Sequence, residues 1–225
     1  MSGSLSGVKI LEEVQSPING KITVVKTLGF GTYIQVEGLT QSGGVVYGVW
    51  RTTLRKIRNT KSKIQNCLVL GLGGGSAAGL VKKFWPEAEI TGVEIDPIMV
   101  DLGKKYLGLK ELKINRACHF VIEDVHKYCI EAKDRGKKFD LILVDMYVGY
   151  EVPKKFETEN FIELVKSIIT EGGIIVFNRL YFDEKRKKAK IFHRKLIHTF
   201  KKVRPIYPEA NVMFVCSDSD KMNGC

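Results

Sequence analysis

From residue 67 onward, short apolar runs alternate with stretches whose apolar positions recur at helical spacing. CLVLG (67–71), EITGVE (89–94), HFVIE (119–123), FDLILVD (139–145) and GGIIVFN (172–178) predict five strands. Helices are predicted between them: one through Phe84, one over PIMVDLGKKYL with Pro97 in its first turn, one to about Lys133, and one over TENFIELVKSII capped at Thr158. Such alternation implies a parallel sheet covered on both faces. The end of the chain breaks the rhythm. KKVRPIY and NVMFVCS are separated only by PEA, which fits a hairpin, so one strand of that pair runs antiparallel to its neighbour. The first 60 residues differ again: KITVVKTLG, TYIQVEG and GVVYGVW are short β-type runs broken by NG, GFG and QSGG. They predict a small antiparallel sheet, with a boundary in RKIRNTKSK (55–63), hence a β-rich N-terminal domain over 1–60 and a larger α/β domain over 61–225.

Composition narrows the classes. Of 225 residues, 44% are apolar and 27% charged, ordinary for a globular protein. No apolar run approaches the ~18–20 residues of a membrane span, and the N-terminus carries no signal-peptide pattern, so a cytoplasmic protein is expected. The five cysteines form no C-x-x-C pair and are expected to be reduced. The four histidines share no metal-ligand spacing, so no metal site is expected. Net charge is +11, much of it in the helical pattern EKRKKAKIFHRKLIHTFKKVR (184–204), which suits either a solvated basic face or a docking face for RNA or another polyanion.

The candidate chemistry lies at strand ends. LGLGGGSAAGL (70–80) follows the first strand of the larger domain and opens a helix; Gly71, Gly73, Gly74 and Gly75 remove every Cβ from the turn, so a ligand can lie against bare backbone beside free helix N–H groups. Strand, glycine turn and helix in that order suit a nucleotide. Glu94, 23 residues after Gly71, ends the next strand and can accept from the hydroxyls of a ribose; Asp96 is better placed to cap the following helix. Asp124 ends the third strand and suits either an exocyclic amine or the N-cap of the helix after it. Asp145 ends the fourth. A glycine turn and three acids at successive strand ends are expected to converge on the sheet's upper edge. Tyr147 and Tyr150 flank this edge and suit either stacking or loop packing.

VLGLGGGS, ITGVEIDPIMVDLGKKYLGL, VIEDVHKY, FDLILVDMYVGYEVP, the ETENFIELVK helix and GGIIVFN, together with SPINGKITVVKTLG at the start, resemble the spermidine synthase-like family of the class I S-adenosylmethionine-dependent fold, over roughly residues 16–216. The resemblance implies a seven-stranded Rossmann-like sheet with an antiparallel last strand behind a β-rich N-terminal domain. It implies that Gly71, Gly73, Gly74 and Gly75 line S-adenosylmethionine or its decarboxylated form, that Glu94 takes the ribose and Asp124 the adenine amine, and that Gln41 reaches the donor from the N-terminal domain. Asp145 matches the acid that helps deprotonate an attacking amine, so it is the candidate catalytic residue and a small amine the candidate acceptor; the family also implies a homodimer.

Three positions depart from the polyamine synthases of that family. Their second acid, three residues after the first, is Val148 here; their Asp after the glycine triplet is Ser76; their Tyr-Gln pair beyond the glutamine is Trp50 and Arg51. Losing two carboxylates from a site for a cationic amine costs several kcal/mol at about 1.5–3 kcal/mol per charge-assisted bond. The departures favour methyl transfer over polyamine synthesis. Aminopropyl transfer from decarboxylated S-adenosylmethionine, and a non-catalytic nucleoside- or polyanion-binding module, stay open as alternatives.

Overall fold

The fold is taken from a computed structural model, which describes residues 7–59, 63–113 and 118–219. Two sheets organise it. The smaller is an antiparallel meander of β1 (Val8–Ser16), β2 (Gly20–Thr27), β3 (Gly31–Val36) and β4 (Leu39–Gly43). The larger has seven strands: β5 (Asn66–Leu70), β6 (Glu89–Glu94), β7 (Cys118–Ile122), β8 (Phe139–Val144), β9 (Ile169–Leu180), β10 (Lys202–Ile206) and β11 (Asn211–Ser217). Its spatial order is β10-β11-β9-β8-β5-β6-β7. The strands from β5 to β9 are parallel, whereas β11 runs antiparallel to both β9 and β10, as the terminal hairpin predicts. The chain order reverses between β5 and β8. That is the switch point where open α/β sheets hold ligands beyond their carboxyl ends.

The seven-stranded sheet is apolar on both faces, with period-two alternation deciding which side chain goes where. Cys67 and Val69 of β5, with Leu141 and Leu143 of β8, point to one face. Leu68 and Leu70, with Ile142 and Val144, point to the other. The first face is covered by α1 (Gly44–Arg58), α2 (Ser76–Phe84) and the short α4 (Leu109–Lys113). The second is covered by α5 (Val125–Asp134), α6 (Glu159–Lys166) and α7 (Lys185–Thr199). The small sheet packs Ile22, Val24, Ile34 and Val36 on Met99 and Leu102 of α3 (Pro97–Tyr106), which joins the two sheets above the switch point.

One predicted element is of the wrong type. GVVYGVW, expected as a β-type run, forms the first half of α1. Its valines favour a strand on propensity, but tertiary burial decides: Val49, Trp50, Thr53, Leu54 and Ile57 recur at helical spacing and are all buried. Gly43, at φ 77°, makes the turn from β4 into the helix. The predicted boundary after residue 60 lies outside the described residues. The basic helix forms as α7, but part of its charge is used internally: Lys185 and Lys188 both pair with Glu151, and Lys195 donates to the Glu157 carbonyl at 2.7 Å. Among the described residues no helix is long and apolar enough to cross a membrane, and no group of His, Cys, Asp and Glu side chains could hold a metal ion. Cys67, Cys118, Cys129 and Cys216 are free thiols buried in the core, and burial pushes each thiol up, that of Cys129 to about 12.

Candidate active site

The glycine turn leaves β5 at its carboxyl end and enters α2. Gly71 and Gly73 have φ of 84° and 54°, in the left-handed region that glycine adopts without strain. At Gly71 a Cβ would lie 2.1 Å from the Asp145 carbonyl oxygen, so the turn is pressed against the end of β8. Gly74 and Gly75 serve a different purpose. A Cβ on Gly74 would strike Leu107 and Ile34, and one on Gly75 would sit 2.3 Å from Leu109. These two glycines let α3, α4 and the small sheet close on the turn; only Gly71 and Gly73 line the hollow above it.

Glu94 ends β6 and turns its carboxylate into that hollow. Its Oε1 accepts from the N–H groups of Ile95 (2.9 Å) and Asp96 (3.0 Å), and its Oε2 from the N–H of Gly73 (2.8 Å). Burial raises its pKa above the usual carboxylate range although these three donors favour the charged form. A carboxylate offers about four lone-pair sites, so one remains, on Oε2, facing the hollow. Asp96 caps α3 by accepting from Ile98 N–H and holds Ser16 and Asn19 of the small sheet. Asp96 thus caps α3, as the sequence implies, while Glu94 lines the hollow and accepts from three backbone N–H groups.

Asp145 follows β8 and is fixed by neutral donors. The Trp50 indole N–H donates to Oδ2 at 2.7 Å, and the Asn178 amide to Oδ1 at 2.8 Å. Asn211 donates to the Asn178 carbonyl oxygen at 2.8 Å, which fixes the orientation of that amide. Burial pushes the Asp145 carboxyl above its ordinary range; the two donors and the nearby positive charge of Arg179 oppose the shift without cancelling it. Arg179 is itself buried, lies over the Phe192 ring at 3.7 Å, and donates to the Asn178 carbonyl at 2.7 Å. Tyr147 accepts at its hydroxyl from Leu180 N–H (2.7 Å), which holds its ring beside Asp145.

Asp145 stands between two cavities. The first is lined by Gly71, Gly73, Glu94, Gln41, Ser76 and Trp50 among others and has about 480 Å³ of empty space including its mouth. The second, on the side of β4, α1 and the end of β9, has about 550 Å³. Gln41, Val46, Asp145 and Tyr147 line both. Gln41 also donates to the Gly149 carbonyl at 3.1 Å, tying the small sheet to the loop after β8. Ser76 accepts from Gly43 N–H (2.6 Å) and bonds the Ser42 hydroxyl (2.9 Å), a second tie between the sheets.

Two of the three acids, Glu94 and Asp145, share the first cavity; Asp124 lies outside its lining. Asp124 caps α5, accepting from His126 and Lys127 N–H on Oδ1, and pairs with Lys155 through Oδ2 at 2.5 Å. Burial works against its charge, but Lys155 and the helix N–H groups outweigh it and leave the carboxyl below its ordinary range. Val148 is 41% exposed, bridges to Glu151 across a tight loop, and lines neither cavity. Asn178 and Arg179 carry no motif, and sequence reasoning missed them. The available signal was a polar pair, Asn-Arg, ending the apolar run GGIIVF.

The model of the spermine/spermidine synthase domain matches residues 56–222. The chain belongs to that family. Its relatives divide between two activities. A polyamine aminopropyltransferase of Vibrio vulnificus is 29% identical over 135 residues, covering 58% of this chain and 44% of that protein. An eEF1A lysine and N-terminal methyltransferase homolog of Drosophila pseudoobscura pseudoobscura is 28% identical over 203 residues, covering 87% of this chain and 29% of that protein. The chain therefore spans less than half the length of either relative. A spermidine synthase solved in complex with the transition state analogue AdoDATO superposes with a TM-score of 0.79, covering 94% of this chain and 74% of that one at 17% identity, which establishes a shared fold.

Proposed function

We propose that this member of the spermine/spermidine synthase family is an S-adenosylmethionine-dependent transferase that methylates an amine. The observation that carries the proposal is the placement of Asp145, between a glycine-floored hollow and a second cavity, with a carboxylate bonded only by neutral donors. The first cavity suits the donor: Gly71 and Gly73 offer bare backbone, and Glu94 keeps one lone-pair site for a ribose hydroxyl. Gln41 and Ser42, which tie the small sheet to the loop after β8 and to Ser76, line the same hollow and would border a bound nucleoside. Asp124 lies at the neighbouring strand end, and an adenine amine reaching it would share Oδ2 with Lys155.

The chemistry follows from the position of Asp145. An ammonium has no lone pair to attack with, so a carboxylate must hold it and take a proton. S-adenosylmethionine supplies a methyl carbon bonded to a positively charged sulfur. The amine lone pair forms the N–C bond while the C–S bond breaks and its electron pair stays on sulfur. The proton released from nitrogen passes to Asp145 and then to solvent. The raised pKa of Asp145 brings it closer to that of an amine than an exposed aspartate would be, which aids the transfer.

Aminopropyl transfer is the second reading, supported by the polyamine aminopropyltransferase relatives. Against it stands Ser76, a neutral hydroxyl committed to Gly43 and Ser42 where a carboxylate would grip the decarboxylated donor's amine. Isothermal titration with S-adenosylhomocysteine and with decarboxylated S-adenosylmethionine separates the readings. Tighter binding of the first is expected; tighter binding of the second overturns methyl transfer, and binding of neither overturns the transferase reading.

A further inference from the structure

The second cavity has a chemistry of its own. Its walls come from the N-terminal sheet and helix on one side (Leu39, Val45, Val49) and from the end of the seven-stranded sheet on the other (Leu180, Phe182, Ala210). All six are apolar. Its polar lining is Thr40, Gln41, Tyr147 and the hydrogen-bonded chain Asp145, Asn178 and Asn211. Among its lining residues, all of them described, Asp145 is the only carboxylate, and no lysine, arginine or histidine is present. Val148, at the position where a second acid would be sought, is turned out to solvent and lies outside the cavity.

We infer that this cavity admits a primary amine carried on an unbranched apolar stem with no second charge, as in an alkylamine or the side chain of a lysine residue, and that it selects against diamines. The inference deepens the transferase reading and rests on it for the role of the amine. Three physical points carry it. First, Asp145 has about four lone-pair sites and spends one per oxygen on Trp50 and Asn178, so it can still accept from an incoming ammonium. Second, the stem would run along Val49, Leu180 and Phe182, where methylenes gain from leaving water. Third, a second ammonium on the stem would lie against these same walls without a partner, and an unpaired charge in apolar surroundings is strongly disfavoured.

The test uses n-butylamine and 1,4-diaminobutane, which share a stem and differ by one charge. Titration calorimetry is run on the full chain with and without saturating S-adenosylhomocysteine. The expected result is that n-butylamine binds at least tenfold more tightly than the diamine. Equal or tighter binding of the diamine overturns the inference, as does binding of neither amine in both conditions. Binding of S-adenosylhomocysteine is read in the same experiment, so failure of the donor reading is distinguished from failure of the amine reading. A second variant makes the test reciprocal. Val45 is 37% exposed on the first turn of α1 at the cavity wall, so Val45→Asp adds a carboxylate without burying it fully. It is expected to narrow or reverse the tenfold preference; a preference unchanged by Val45→Asp overturns the assignment of this cavity as the stem's path.

Discussion

Gly71→Ala isolates the contact on which the site's geometry turns. Gly71 sits at φ 84°, and its N–H donates to the Val93 carbonyl at 3.0 Å; the next strand end is held by Asp145 N–H donating to the Leu70 carbonyl at 2.8 Å. A Cβ there would stand 2.1 Å from the Asp145 carbonyl oxygen and 2.8 Å from its carbon, when ordinary contact begins near 3.4 Å. The carbonyl must retreat by more than about 1 Å, and a misplacement of that order can cost a reaction a hundredfold. Two energies add. A left-handed alanine costs roughly 1–2 kcal/mol, and overpacking costs about 1–3 kcal/mol more, for a total of about 2–5 kcal/mol. Gly136→Ala supplies the control: Gly136 has φ 65° at the end of α5, and nothing lies within 4 Å of its Cβ position. It should lose only about 1 kcal/mol. At about 2–4 °C per kcal/mol for a chain of this size, the midpoints should fall by about 10 °C and about 3 °C. Thermal and urea denaturation followed by circular dichroism measure the midpoints and the free energies of both variants, and the folded Gly71→Ala protein should also bind S-adenosylhomocysteine poorly. Losses within about 0.5 kcal/mol of each other would refute the claim that Gly71 is glycine because Asp145 is there.

Two further perturbations address the acids. Glu94→Gln puts an amide against one of three backbone N–H groups that now find an oxygen, so about 2 kcal/mol of stability should go. Amide hydrogen exchange at Gly73 or at Ile95 and Asp96 should quicken, and unchanged exchange at all three would contradict the bonding described. Asp145→Asn tests the raised carboxyl through pH. Because burial raises the folded value, the folded protein holds this proton more tightly than the unfolded chain. That contribution is complete below the unfolded value near 3.9 and is lost as pH rises through the folded value. Wild-type stability relative to Asp145→Asn should therefore decline as pH climbs from about 4 towards neutrality; a difference that is flat or grows would remove the argument.

How far the sequence reached depended on whether the deciding physics was local. The parallel strands were legible because each is a short apolar run between turn signals, and β6 falls on the predicted EITGVE. The reversed β11 was legible from a spacing: three residues between two extended runs leave no room for a crossover helix. The first half of α1 was not, since its valines speak for a strand and only the burial of Val49, Trp50 and Leu54 against the sheet makes it helical. The placement of Glu94 at the hollow and of Asp96 as the cap of α3 followed from their places at a strand end and a helix start. The purpose of Gly74 and Gly75 did not, because the side chains they make room for, Leu107, Ile34 and Leu109, lie far off in sequence or in an element the sequence did not announce. Asn178 and Arg179 were hidden for the same reason: their partners Asp145, Asn211 and Phe156 meet them only when β8, β9 and β11 stand side by side.

The three departures from the polyamine synthases of the family take on one meaning in the structure. Trp50 stands in the position of a polar residue and uses its single N–H to hold Asp145. Ser76 replaces a carboxylate and spends its hydroxyl on the small sheet. Val148 replaces another and points away from both cavities. The changes at Ser76 and Val148 each remove a negative charge, and Asp145 is the one carboxylate among the lining residues of the second cavity. A lone carboxylate held by neutral donors can receive one proton from one amine. It cannot also anchor a second ammonium at the far end of a diamine. The same substitutions that weaken the case for a polyamine acceptor therefore make the case for an acceptor with a single amine and an apolar stem. Placing a carboxylate at Ser76 or at Val45 addresses the proposed donor side and acceptor side separately, because the two residues line different cavities on either side of Asp145.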